Sequence, residues 1–228
     1  MIEAKSADLP VSVAHMRHHR YTNVTGNAIV RGSESGGRYK SKLEKHGFIR
    51  WLMQPEVRTA RLQWPCIKYH DAAGKPHRYT GDLLVDFQPI LRRRPLVVEF
   101  KYAEKLKKHP ELKTMYAAVE AELNRRGYDF RLQTEENVYT PEFSMMKFVY
   151  GYRNDDPHPD EPQILACVAS QGGLSLAALV QGISSSRARQ AELIPAVWRL
   201  VALHRLSVDF SQVLDLSAKI RPGPVISG

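Results

Sequence analysis

Apolar and polar positions along the first two thirds of the chain alternate between helical and strand rhythms. From Tyr39 to Met53, Leu43, Phe48, Trp51 and Leu52 recur at spacings that line one helical face, and Pro55 marks the end of that segment. Val57 to Gln63 alternates as a strand does, and Cys66 to Tyr69 reads as its continuation. Asp71-Ala-Ala-Gly74 signals a turn. His77 to Phe87 then reads as one strand rich in β-formers, and Leu96 to Phe100 as a buried strand between Pro95 and Lys101. Lys105 to Arg126 carries Leu112, Met115, Tyr116, Val119 and Leu123 on one side, the pattern of a single helix, with Gly127 as its stop. Tyr128 to Leu132 predicts a last strand, and Phe143 to Tyr150 a short helix or strand. Strands interleaved with helices in this order predict an α/β domain: a mixed sheet with flanking helices.

The rest of the chain has a different rhythm. Asn154-Asp-Asp-Pro-His-Pro-Asp-Glu-Pro162 is acidic and proline-rich and reads as a linker. Beyond it come helix patterns at Ile164–Ser170 and Ser175–Gln181, the latter after Gly172-Gly173, and a long one from Arg187 to His204. Any of Ser184, Ser185 and Ser186 could cap the long helix, and Pro195 interrupts it. Leu206–Val208 and Val213–Leu216 predict two short strands. Three helices followed by a small hairpin is the order of a winged helix. The expected organisation is an irregular N-terminal arm over residues 1–35, an α/β domain over 36–153, a linker over 154–162 and a small winged-helix domain over 163–228.

Composition narrows the class. Hydrophobic residues are 43% of the 228 and charged residues 25%, which excludes a wholly disordered, collagenous or coiled-coil chain. No run approaches the roughly 18 apolar residues that cross a bilayer, so no membrane partner is expected. The first twenty residues lack the apolar stretch of a signal peptide, which predicts a cytoplasmic location. Cys66 and Cys167 are too few for a disulfide framework or a zinc ribbon and read as ordinary thiols. Net charge is +9, and it is unevenly placed. Residues 154–228 carry 6 basic and 7 acidic side chains, leaving 27 and 17 to residues 1–153. A basic domain of this kind suits a polyanion such as nucleic acid, and a merely soluble basic surface is the plainer alternative.

The candidate chemistry lies in Tyr79-Thr-Gly-Asp82-Leu-Leu-Val-Asp86-Phe and Leu96-Val-Val-Glu99-Phe-Lys101. Side chains alternate along a strand, so Glu99 and Lys101 project to the same side of an otherwise apolar run. A hairpin would bring Asp82 beside them. Two carboxylates and a lysine at neighbouring strand positions suit a hard cation such as Mg²⁺, with Mn²⁺ as a substitute, and the lysine can hold a water or answer developing phosphorane charge. Asp86 shares a face with Asp82 and is a rival, but four strand residues put it roughly 13 Å away, beyond the reach of the same ion. Arg92, Arg93 and Arg94 fall between the two strands and could grip phosphate or simply face solvent. Lys105, Lys107 and Lys108 open the next predicted helix, where cations are locally unfavourable, which suggests a phosphate partner. His15, His18 and His19 cluster in the arm without fixed neighbours, and Trp198 reads as core.

The spacing D-x(16)-E-x-K is that of restriction-endonuclease-like, PD-(D/E)xK, nucleases. By itself it is a weak signal, since charged strand ends are usually just solvated. In order along the chain, Ser41-Lys-Leu-Glu44, Gln54-Pro-Glu-Val57, Gln63-Trp-Pro65, Gly74-Lys-Pro-His-Arg-Tyr-Thr-Gly-Asp82-Leu-Leu-Val and Val98-Glu-Phe-Lys101 resemble motifs of the TnsA family, the end-cutting endonuclease subunits of heteromeric, Tn7-like transposases. The resemblance spans roughly residues 25–216. Gly81 stands where the family usually has proline, and Phe100 where it has a β-branched residue. The resemblance implies that Asp82, Glu99 and the Phe100 carbonyl hold Mg²⁺, that Glu44 binds a second ion or orients a water, and that Lys101 positions the attacking water. It implies cleavage of the non-transferred strand at transposon ends in double-stranded DNA, beside a DDE-type partner transposase and a regulatory ATPase. Homodimerisation stays open. Two alternatives remain: a restriction or repair nuclease of the same fold, and a non-catalytic DNA-binding transposition accessory protein.

Overall fold

The computed structural model describes residues 25–31, 34–71 and 73–224. The chain opens with a hairpin, β1 (Gly26–Ile29) and β2 (Gly36–Tyr39), then α1 (Lys42–Leu52) and β3 (Val57–Leu62). A second hairpin follows, β4 (Cys66–His70) and β5 (Pro76–Thr80), then β6 (Leu83–Phe87) and β7 (Leu96–Phe100). Helices α2 (Ala103–Lys108) and α3 (Glu111–Arg125) lead to β8 (Asp129–Gln133), α4 (Glu135–Val138) and α5 (Phe143–Tyr150). The C-terminal third is α6 (Glu161–Gln171), β9 (Leu174–Ser175), α7 (Leu176–Ile183), α8 (Arg187–Ala202), β10 (Leu206–Ser207) and β11 (Lys219–Pro222).

A six-stranded mixed sheet in the order β1-β2-β3-β6-β7-β8 forms the backbone of the first part. Strands β3, β6 and β7 are antiparallel neighbours, while β8 returns parallel to β7 through α2 and α3. All five residues of β7 are buried, because helices cover both faces of the sheet. Leu96, Val98 and Phe100 share a core with α1, whereas Val97 packs with Tyr116, Val119 and Leu123 of α3. Alternation then sends Glu99 and Lys101 to the α3 side. A β-carbon at Gly47 of α1 would lie 2.2 Å from the Phe100 ring, so that large side chain fits only because the helix carries glycine opposite it.

The structure corrects several expectations. The arm assigned to residues 1–35 contains β1, which pairs with β2 at the edge of the main sheet; His15, His18 and His19 lie outside the described residues. Cys66–Tyr69 does not extend β3, because Gln63 takes a left-handed φ of 57° and turns the chain away. His77–Phe87 is two strands, not one, since Gly81-Asp82 separates β5 in its own two-stranded sheet from β6 in the main sheet. The expected helix from Lys105 to Arg126 is broken at His109-Pro110. Proline disfavours helical backbone before it, and His109 has φ −128°. Ser186 is the residue that caps α8, accepting from Arg189 N. Val213–Leu216 is not a strand; β10 instead pairs with β11, which also pairs with β9.

The 154–162 segment is docked rather than free. The Asn154 amide donates to Ile29 O at 2.7 Å and accepts from Arg31 N at 3.0 Å, and Arg31 pairs with Asp156. Glu161 already belongs to α6 and is buried against Arg199 at 2.6 Å. One apolar core runs from α1 and the sheet through α5 into α6, α7 and α8. Across this seam Phe148 meets Trp198 edge-on at 5.9 Å, His204 Nε2 hydrogen-bonds Leu52 O at 3.0 Å, and the Arg153 guanidinium donates to Ala202 O. No helix among the described residues is long and apolar enough to cross a membrane.

Candidate active site

Asp82, Glu99 and Lys101 meet at one end of the β6–β7 pair. Leu83 lies opposite Val98, so Asp82 sits one step beyond the last paired position, beside the end of β7. Its Oδ2 accepts Phe100 N at 2.9 Å and lies 3.8 Å from Lys101 Nζ. Lys101 Nζ donates to Glu99 Oε1 at 2.5 Å and to Phe100 O at 3.3 Å. Glu99 is buried and held from three sides: besides Lys101, Tyr79 OH donates to Oε2 at 2.7 Å and Tyr116 OH to Oε1 at 3.0 Å.

Glu44 arrives from the other face of the sheet. Ser41 caps α1 by accepting Glu44 N, while Glu44 Oε2 accepts Lys40 N at 2.8 Å. The capping exchange fixes this carboxylate at the helix N-terminus, where the helix dipole favours it. Gln63 closes the gap around the sheet end. Its Nε2 donates to Glu44 Oε2 at 3.2 Å and approaches Asp82 Oδ1 at 3.5 Å. The Gln63 backbone is pinned to the same place, since Gln63 N donates to Asp82 O at 2.9 Å and Gly81 N to Pro65 O at 3.1 Å.

Three carboxylates against one ammonium leave a surplus of negative charge. Burial and the neighbouring Glu99 push the Asp82 carboxyl up to about 7; Lys101 opposes the shift and Glu44 adds to it. Burial works against the Lys101 ammonium, but Asp82 and Glu99 outweigh it and its pKa is raised. Burial, then Glu99, also push the Tyr79 and Tyr116 hydroxyls up, so both remain donors to Glu99.

The donor set is all oxygen: Asp82, Glu99, the Phe100 carbonyl and, through Gln63, Glu44. That chemistry fits Mg²⁺, which is commonly held by one or two carboxylates with water and phosphate completing its shell. No group of three or more His, Cys, Asp or Glu side chains converges closely enough for one ion among the described residues. The reason is visible in the fold: α1 and the Asp82–Glu99 pair lie on opposite faces, and Gln63 stands between them.

Residues 48–135 match the family model of the TnsA-like endonuclease N-terminal domain. The chain carries a TnsA-like endonuclease domain. The match begins inside α1 and ends at the start of α4, so it takes in Gln63, Asp82, Glu99 and Lys101 but not Glu44. No curated protein matches the chain.

Other expected contacts of the TnsA-like domain lie elsewhere. Asp86 pairs with Thr59 at 2.9 Å and Arg61 at 3.2 Å, away from the carboxylates. Arg92, Arg93 and Arg94 follow a 3-10 turn, Pro89–Leu91, at the opposite end of β6 and β7. Five strand residues, about 16 Å, separate that turn from Asp82. Arg93 stacks 3.7 Å from the Phe87 ring centroid, and Arg94 donates to Asn124 O and Tyr128 O. Lys105, Lys107 and Lys108 sit in the last turn of α2, not at a helix start. Cations are favoured there, and Lys108 pairs with Glu104 at 2.6 Å, so the dipole argument for a phosphate partner falls. The roles of Gln63, Tyr79 and Tyr116 are not announced by the sequence: Gln63 and Tyr79 lie within the motifs around the carboxylates, while Tyr116 belongs to the apolar face of α3.

Proposed function

We propose that the protein is the metal-dependent endonuclease subunit of a heteromeric, Tn7-like transposase, hydrolysing a phosphodiester of the non-transferred strand at transposon ends. The observation that carries this reading is the convergence of Asp82, Glu99 and Lys101, with Lys101 Nζ 2.5 Å from Glu99 and 3.8 Å from Asp82, inside a TnsA-like endonuclease domain. Asp82, Glu99 and the Phe100 carbonyl would hold Mg²⁺, and Glu44 would hold a second ion or orient water. Bound Mg²⁺ would supply Lewis-acid stabilisation of phosphoryl charge and acidify water.

The chain's own groups prepare the rest. Lys101, ionised and tethered by Glu99, carries a donor to the mouth of the carboxylate cluster, where it can orient a water toward phosphorus and answer charge on the phosphoryl oxygens. Tyr79 and Tyr116 fix Glu99, so that Lys101 is aimed by a rigid partner. Gln63 spaces Glu44 from Asp82 and lowers their mutual repulsion. Hydrolysis would leave a 5′-phosphate and a 3′-hydroxyl.

The C-terminal order helix, strand, helix, helix, strand, strand, with sheet order β10-β11-β9, supports reading that part as a winged helix. Its small net charge favours contact with the DDE-type transposase or a regulatory ATPase over strong phosphate binding. The test is strand-resolved cleavage of a plasmid bearing the element ends, with Mg²⁺ and the partner transposase. Wild type should cut the non-transferred strand, and Asp82→Asn and Lys101→Ala should lose only that cut. Identical products from all three proteins would overturn the assignment.

A further inference from the structure

The β4–β5 hairpin springs from the rim of the candidate site. Its first strand begins three residues after Gln63, and its second ends two residues before Asp82. Its inner face is committed to packing: Ile67, Tyr69 and Tyr79 are buried with Tyr116, Val119 and Leu123 of α3. Its outer face is exposed and carries Cys66, Lys68, His70, Pro76, Arg78 and Thr80.

Lys68 lies directly opposite Arg78 on that outer face. Like charges at facing positions of an antiparallel pair are destabilising. Among the described residues neither side chain makes an ion pair. Asp71 is the single acid between residues 66 and 80, and it is already engaged in the turn. It accepts Ala73 N and Lys75 N through Oδ1 and contacts His77 through Oδ2. The repulsion between Lys68 and Arg78 is therefore uncompensated within the hairpin. At its base stands Trp64, 48% exposed, with the Arg61 guanidinium 5.8 Å from its ring centroid. This exposed indole adjoins Gln63, whose side chain contacts Glu44 and Asp82.

We infer that the outer face of the β4–β5 hairpin is a DNA grip: Lys68 and Arg78 bind successive phosphates of duplex DNA and lead the backbone past Trp64 to Asp82. Arg78 is four residues from Asp82 across the Gly81 turn, so at most about 13 Å away, a reach of no more than about four nucleotides of helical rise. The inference rests on the nuclease reading above.

The experiment measures binding of a fluorescein-labelled 30-base-pair duplex of arbitrary sequence by the full chain carrying Asp82→Asn, in EDTA, across a salt series. Each phosphate contact contributes roughly 0.9 to the slope of log K against log salt. Adding Lys68→Ala and Arg78→Ala together should lower that slope by about 1.8. Lys68→Glu should do two opposed things: weaken DNA binding at least tenfold and raise the melting temperature, because it turns a repulsive cross-strand pair into an attractive one. A hairpin with a merely structural role would not separate the two readouts. If the Asp82→Asn chain binds the duplex but its slope is unchanged in the double variant, the grip is refuted and the nuclease reading survives. If that chain binds no duplex at any salt, both fall.

Discussion

Asp82 is buried beside Glu99, with Glu44 behind Gln63, and a single ammonium 3.8 Å away answers it. Asparagine in its place would still accept from Phe100 N while removing one of three like charges. Asp82→Asn should therefore raise the melting temperature in metal-free buffer by about 2–4 °C, the shift expected for ~1 kcal/mol in a chain of this size. Thermal melts with and without Mg²⁺ check this: added ion should stabilise wild type and leave the variant unmoved. At this scale the sequence was informative where a short-range rule applied. The period of two placed Glu99 and Lys101 together, and they lie 2.5 Å apart. Tyr116 was invisible as a partner of Glu99, because it comes from α3 and reads there as one more position of an apolar face. Gln63 was seen as part of a motif, but its bridging depends on a left-handed φ that no spacing pattern announces.

Elements were legible where hydrophobic periodicity decided them and illegible where a single residue broke a continuous pattern. The β7 run and the apolar stripe of α1 are examples of the first. Gly81 is an example of the second: β-forming residues on both sides concealed a change of sheet. A β-carbon at Gly81 would lie 2.6 Å from Val97 Cγ1 and 3.0 Å from Trp64 O, a carbonyl that cannot swing aside as a side-chain tip would. Gly81→Ala should cost about 1–3 kcal/mol by overpacking, read as a lower urea midpoint. It should also displace the Gln63–Pro65 segment from Asp82, so the metal-induced rise in melting temperature should shrink. A proline at this position, the residue expected from the resemblance, could not make the Gly81 N to Pro65 O bond that holds this turn.

For the whole molecule, composition and charge suggested two units with a tether, and the order of elements in each was largely readable. The shared core was not, because nothing in the local pattern distinguishes an apolar face that packs within a unit from one that packs across a boundary. His204 lies on that boundary. Burial lowers its pKa, with Arg153 adding to the effect, although its bond to Leu52 O works the other way. A histidine held neutral in the folded chain binds its proton more readily when unfolded, so its contribution is fully present above the unfolded pKa of about 6.5 and is lost as pH falls below it. The raised Asp82 and the lowered His46 titrate in the same window, so the His204 share is read as a difference: His204→Asn, which tolerates the left-handed φ of 59° at this position, should lose less urea midpoint, or gain more, than wild type between pH 7.5 and 5. The seam has a consequence for chimeras as well. Phe148 meets Trp198 side chain to side chain, while His204 and Arg153 each reach a main-chain carbonyl across the seam, of Leu52 and Ala202, so an exchange of only the C-terminal third would separate Phe148 from Trp198 and take His204 away from Leu52. A chimera that keeps α5 with the C-terminal third preserves the Phe148–Trp198 contact, and one joined after residue 153 loses it.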